Sequence, residues 1–299
     1  MKRSTRIWLI VLLILVGVGL FAYPMVSNYL FSRNASMATV DYDDTIKEID
    51  KSALEHAWAE AQVYNNSLEG NPVKDPFLKD SGMVMSEDYT QILNLTGKGI
   101  MGYVSIPKIG VKLSIYHGTS EEVLQKGAGH LEGSSLPIGG PSCHSVLTAH
   151  TGLAHAKMFT DLRNLVVGDS FYVHILDEIL AYKVDQIVVV LPEKISELRR
   201  EPGKDYCTLV TCTPYGVNTH RLFVRGVRTE YVPEVAKKQI EDSRPSAQWF
   251  TEYNMLIGLA AGAIIAAGTI LILLVRRKKK MERRRRYWWW QIEDENEKG

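Results

Sequence analysis

TLVTCTPYGVNTHRLFVRG, residues 208–226, reads as a strand, a turn and a returning strand. Pro214, Gly216 and Asn218 separate two β-branched and aliphatic runs, and these residue types favour turns over a continuing sheet ladder. Cys212 therefore falls at a strand end, where a thiol can face a cleft. Arg221 falls nine residues later, at the start of the returning strand. A strand–loop–strand unit brings two such ends together. A guanidinium beside a thiol stabilises the thiolate or donates hydrogen bonds to a developing oxyanion.

The same texture extends to either side. Tyr103–Ile106, Leu113–Tyr116, Ser145–Ala149, Ser170–Leu176, Leu180–Leu191, Tyr206–Cys212 and Arg221–Tyr231 are β-branched or aromatic runs punctuated by Gly, Pro, Asn and Asp. That pattern predicts an all-β barrel or sandwich. Short helical turns are expected over Glu121–Lys126 and Lys157–Leu165. Upstream, Ile46, Ile49, Ala53, Ala57 and Ala61 recur at three- and four-residue steps, predicting a helix over 39–69 with Asp43 or Asp44 as its N-cap. Gly70, Asn71, Pro72, Asp75 and Pro76 end it in a loop, and a short helical piece is expected over Ser86–Leu93.

Chemistry at a thiol also needs a base. In SVLTAHTGL, residues 145–153, a strand ends in His150. Imidazole titrates near neutrality, so it can take the thiol proton and return it to a leaving amine. Cys, His and Arg together are what acyl transfer through a thioester requires. His220 is the rival base, but strand neighbours point to opposite faces, so His220 and Arg221 do not share one cleft. Arg225, four residues beyond Arg221 on the same strand face, is the rival guanidinium. The chain has three cysteines, Cys143, Cys207 and Cys212, an odd and sparse set that makes no disulfide framework. Cys143 and Cys207 read as inert buried thiols. Cys143, His144, His150 and His155 lie near one another but lack Cys-x-x-Cys or zincin spacing, so no metal site is expected.

Two uncharged stretches, one within Ile7–Ser32 and one over Tyr253–Val275, are each long enough to span a bilayer, which takes about 20 apolar residues. Lys2, Arg3 and Arg6 precede the first, and RRKKKMERRRRY, residues 276–287, follows the second with nine basic residues. Basic flanks stay in the cytoplasm, so both termini are expected inside and the central domain outside. A cleaved signal peptide is the alternative for the first span, since Ala35–Ala38 supplies small residues after it. The formal net charge of +1 conceals a region between the flanks with 22 basic and 29 acidic residues, which argues against a nucleic-acid partner. The expected division is a cytoplasmic N-terminus (1–6), an anchor (7–30), a helical region (39–100), a β-barrel (101–235), a linker (236–252), a second span (253–275) and a basic cytoplasmic tail (276–299).

LTAHTGL, residues 147–153, with TLVTCTPYGVNTHRLFVRG downstream, resembles the signature of sortases, the cysteine transpeptidases of Gram-positive cell surfaces. The family pattern is T-L-x-T-C, an Arg on the next strand and a His ending an earlier one. The resemblance covers residues 40–235. It implies an eight-stranded sortase β-barrel, with Cys212 as nucleophile, His150 as general acid/base and Arg221 as the oxyanion or substrate-positioning residue. Within the family, VKDPFLKD, residues 73–80, resembles the lid loop of class C, the pilus-assembly sortases, as does the C-terminal span with its basic tail. By position Asp75 would pair with Arg221 and Phe77 would cover the Cys212 sulfur, a charge-assisted and an aromatic–sulfur contact respectively. Phe77 stands where Trp is also common in the class.

The activity so implied is cleavage of an LPXTG-like sorting signal through a Cys thioester, then joining of pilin subunits through a Lys isopeptide bond, without a cofactor. Two alternatives stay open: a sortase that anchors surface proteins to peptidoglycan, and a non-enzymatic membrane-tethered scaffold in which Cys212 is structural.

Overall fold

In the computed structural model of this chain, the described residues are 3–68, 77, 87–153, 155–242, 258, 261–262, 268–269, 272–273 and 275–283. Alternation of apolar side chains makes each strand two-faced, and the inward faces meet in one core. The strands are β1 (Ile100–Ile106), β2 (Val111–His117), β3 (Ala128–His130), β4 (Cys143–Thr148), β5 (Ser170–Ile175), β6 (Glu178–Val190), β7 (Asp205–Thr213) and β8 (His220–Thr229). They close a barrel in the order β1-β2-β3-β4-β7-β8-β6-β5. Pairing is antiparallel except for β2 with β3 and β4 with β7. Seven of these strands lie on runs predicted above. The three-residue β3 was missed because Ala128, Gly129 and His130 carry no β-branched signal.

Leu147, Leu209 and Val224 belong to the barrel core. Val146, Val210 and Phe223, each one residue away on the same strands, form a separate cluster with Leu131 and Leu198. Strand periodicity places that second cluster on the outer wall. Gly226 admits the close packing beneath: a Cβ there would meet the Phe171 ring at 2.6 Å, while Phe171 and Tyr182 stack with centroids 5.5 Å apart.

The helical arm differs from the expected helix over 39–69. One helix, α1 (Arg3–Glu48), runs through Asp43 and Asp44, and α2 (Lys51–Ser67) starts after Asp50 in the N-cap position. The helix arrives from the apolar segment, so no helix start exists at Asp43 to be capped. Asp43 instead accepts a hydrogen bond from Tyr103 Oη at 3.0 Å. Tyr42 donates to Met101 O at 2.8 Å and accepts from Leu176 N at 2.9 Å, tying α1 to the barrel. Asn65 of α2 accepts from Leu136 N at 2.7 Å. A short helix, α3 (Glu87–Gln91), and α4 (Glu121–Lys126) match the expected turns. Where a linker from 236 was expected, α5 (Pro233–Asp242) continues as helix, with Ala236 packed beside Tyr172 and Ala181.

Residues Pro24–Arg244 group as one compact unit, and Met1–Tyr23 with Pro245–Gly299 as another. Leu12–Glu48 of α1 is long and apolar enough to cross a membrane by length and composition. The second expected span lies largely outside the described residues, although 275–283 is helical.

Tyr89 of α3 joins the arm to two buried histidines. Its hydroxyl lies 2.8 Å from His130 Nδ1, and its ring meets His117 edge-on with centroids 5.1 Å apart. His130 Nε2 lies 2.9 Å from Ser135 O, so it donates there and leaves Nδ1 to accept from Tyr89. Burial holds the His130 imidazolium form down to a pKa of about 4, and does the same to His174, stacked on Tyr103 with Lys112 nearby. Burial also lowers His117 and His144. These folded values lie below the ordinary 6.5, so the unfolded chain binds more protons on acidification and stability falls as pH drops from about 6.5 to about 4. For His130 alone the loss is on the order of 3 kcal/mol. Thermal unfolding in detergent across that range should show this decline, and His130→Gln should make it shallower. A midpoint independent of pH would contradict the buried neutral assignment.

Candidate active site

The outer cluster of Val146, Val210 and Phe223 lies on the barrel wall that leads to the three candidate residues. On β7 and β8, Cys212 sits directly opposite Arg221. Residues so paired in an antiparallel ladder have Cα atoms about 4.5–5.5 Å apart and side chains on one face. On β4 the parallel register pairs Thr148 with Val210. The match continues past the strand end, because Ala149 N donates to Val210 O at 3.2 Å and Thr211 Oγ1 donates to Ala149 O at 2.8 Å. Two residues beyond Thr148 and Val210 come His150 and Cys212. All three candidates therefore reach one rim of the barrel on one face.

Arg221 is only 6% exposed. Its Nη1 donates to Asn218 O at 3.1 Å and to His220 O at 3.2 Å. Arg225, the rival guanidinium, forms a fork with Asp185 at 3.1 and 2.8 Å and lies 4.2 Å over the Tyr206 ring. His150 is partly buried, its side chain 17% exposed, and Glu121 Oε2 of α4 lies 3.4 Å from Nε2. That contact meets an ion-pair distance but not hydrogen-bond geometry, since Nε2 has no hydrogen-bond partner among the described residues. Glu121 is largely exposed, so it acts as a solvent-screened neighbour. The other nearby imidazoles are engaged elsewhere. His144 uses Nδ1 towards Arg199 O at 2.9 Å and Nε2 towards Thr208 Oγ1 at 2.7 Å. His220 pairs in register with Thr213, and its Nδ1 lies 2.9 Å from Thr219 Oγ1.

Phe77 lies against this group. Its ring centroid is 5.9 Å from that of His150 and 5.0 Å from Arg221 Cζ, and it packs on the outer apolar cluster. Asp75 and the rest of 73–80 lie outside the described residues. The sequence reading missed the buried outer cluster of Leu131, Val146, Leu198, Val210 and Phe223, and also missed Glu121. A period-two apolar pattern on three strands was visible, but which face turned outward was not. Tyr215, from the turn after Cys212, lies close enough to Gly152 that a Cβ there would meet its ring at 3.2 Å.

A sortase-domain profile matches residues 104–229. The sortase C-1 structure from Streptococcus pneumoniae is 49% identical over 66% of this chain and all of that one, with a TM-score of 0.62. The chain belongs to the sortase family. This sortase is a cysteine transpeptidase, as its family is. A pilus-related sortase C of Group B Streptococcus is 47% identical over 64% of this chain and 97% of its own, with a TM-score of 0.61. Among curated relatives, the Sortase A of Streptococcus agalactiae serotype III is 27% identical over 213 residues, 69% of this sortase and 77% of that relative. Class C pilus sortases of Streptococcus and Actinomyces are thus among its structural neighbours.

The three thiols differ in environment. Cys143 and Cys207 are buried, whereas Cys212 is partly exposed. Burial raises the Cys207 thiol well above its ordinary pKa, with Asp205 adding to the effect, and raises Cys143 likewise. Iodoacetamide should label Cys212 in the folded protein, and Cys143 and Cys207 only on unfolding. Peptide mass mapping checks this; native labelling of Cys207 at a comparable rate would contradict its burial.

Proposed function

We propose that this sortase joins pilin subunits, with Cys212 as nucleophile, His150 as general acid/base and Arg221 as the oxyanion-stabilising residue. The observation that carries the residue roles is the shared rim: Cys212 faces Arg221 across the β7–β8 ladder, and the β4–β7 register brings His150 alongside. The class C reading draws support from sortase C neighbours at 47–49% identity, the one at 47% pilus-related, and from Phe77 lying against His150 and Arg221.

In the first half-reaction the Cys212 thiolate attacks the Thr–Gly carbonyl of an LPXTG-like signal on one pilin. The C–N bond breaks, His150 delivers its proton to the departing Gly amine, and the acyl group remains as a thioester. In the second, a Lys ε-amine of another pilin attacks that thioester and His150 takes the amine proton. An isopeptide bond forms and the thiolate returns. Arg221 donates to the oxyanion in both halves. Bond energy passes from peptide to thioester to isopeptide, so the cycle needs no external energy source. Two membrane spans with both termini cytoplasmic would hold the barrel where pilins emerge.

Phe77, with Asp75 two residues before it, acts as a lid over this site. A cation–π contact is worth about 0.5–2 kcal/mol, enough to bias closure and weak enough for a peptide to displace.

Incubation of the chain in detergent with candidate pilins should give SDS-resistant ladders, absent with Cys212→Ala. A thioester without ladders would point instead to a peptidoglycan amine as acceptor. Arg221→Ala should lower kcat about 10²–10³-fold, the usual loss of an oxyanion donor, and Phe77→Ala should speed alkylation of Cys212. Ladders that persist in Cys212→Ala would sink the assignment, and an unchanged alkylation rate would remove the lid.

A further inference from the structure

Thr148 and His150 stand two residues apart at the end of β4, and each buries a polar atom that has no hydrogen-bond partner among the described residues, Thr148 Oγ1 and His150 Nε2. For His150 the role proposed above accounts for this. For Thr148 nothing yet does. The residue is 0% exposed. Leu147 and Ala149, on either side of it, belong to the barrel core, while Val146 belongs to the outer cluster. Strand alternation therefore puts Thr148 on the outer wall, between Val146 and His150. Across the ladder it is level with Val210, one outward position before Cys212.

Packing alone favours valine here. Valine has nearly the shape of threonine, and valine occupies both Val146 and Val210 beside it. A buried hydroxyl without a partner destabilises the fold relative to that isostere. The group is therefore placed where a ligand completes its bonding. An extended peptide repeats every two residues at about 6.6–6.8 Å, the same step that separates outward positions along β4. Val146, Thr148 and Val210 are each 0% exposed, and Phe77 packs on the cluster that holds both valines. With that cover displaced, a peptide whose scissile carbonyl is at Cys212 and whose leaving amine is at His150 would run its acyl part over Val210 and past Thr148.

We infer that Thr148 is a specificity-determining residue whose Oγ1 hydrogen-bonds a polar group of the acyl-donor peptide, on the acyl side of the scissile bond. That group is either the hydroxyl of the residue before the bond or a backbone carbonyl. The inference rests on the catalytic assignment made above, and it adds the contact that rewards a polar atom within an otherwise apolar groove.

The test uses the full chain in detergent, with Phe77→Ala in every variant so that the groove is open, and an LPXTG peptide as substrate. Thr148→Val should lower kcat/KM about tenfold, the effect of one lost hydrogen bond, with KM carrying the change. Its unfolding temperature should be equal or higher, and Cys212 alkylation should be unchanged. Thr148→Ser should stay within about twofold of the parent. A peptide with valine before the scissile bond separates the two targets. If the hydroxyl is read, Thr148→Val costs nothing further on that peptide; if the carbonyl is read, it costs the same tenfold. The inference fails if Thr148→Val keeps parental kcat/KM, or if its loss tracks a lower unfolding temperature. If the Phe77→Ala parent itself turns over no sorting peptide, the catalytic assignment falls, and the role of Thr148 with it.

Discussion

Parallel hydrogen bonding of β4 alongside β7, with Thr148 level with Val210, carries the ends of two distant strands to one rim of the barrel. More than fifty residues of chain separate those strands, including all of β5 and β6. Parallel neighbours cannot be joined by a tight turn, so the long crossover is obligatory. Everything at the rim follows from that register. A slip of one residue would turn His150 into the core and Leu147 towards solvent, exchanging an apolar for a polar side chain at each step. The inward packing of Leu147 and Ala149 therefore fixes the direction of the imidazole.

The outer wall is unusual in being apolar where a barrel's exterior normally meets water. Leu131, Val146, Leu198, Val210 and Phe223 form a patch there, and Phe77 packs on it. Part of the cover comes from the connection between β6 and β7, which turns at Ser196–Leu198 and is held by His144 reaching Arg199 O and by Arg200 reaching Asn65 O. Under this cover the five residues are buried, none more than 5% exposed. The same patch would be an aggregation hazard if left bare, which gives a covering aromatic a second use besides restraining the site.

Environment separates residues that composition treats alike. Of the three thiols, one is partly exposed at a strand end while two are buried, and burial raises the pKa of those two. Two of the arginines on β8, Arg221 and Arg225, share a face yet differ: Arg225 is taken up by Asp185 and the Tyr206 ring, and Arg221 lies against Phe77. The histidines divide the same way. His117, His130, His144 and His174 are held neutral by burial and serve packing.

Local chemistry was legible from the amino acids alone: seven of the strands, the turn at Pro214 and Gly216, and Cys212 and Arg221 as the two ends of one hairpin. Such features depend on residues close in the chain, whose propensities and period-two pattern act without the rest of the fold. The start of the helical arm was misplaced, because Asp43 resembles an N-cap until Tyr103, some sixty residues away, is seen to use its carboxylate. Only the tertiary structure decided that His150 lies level with Cys212, that the outer wall carries a buried apolar cluster, and that Thr148 buries a hydroxyl there with no hydrogen-bond partner among the described residues. Each depends on the register of a non-local parallel pair, and no short-range pattern in the sequence encodes which residue of one strand lies beside which residue of the other.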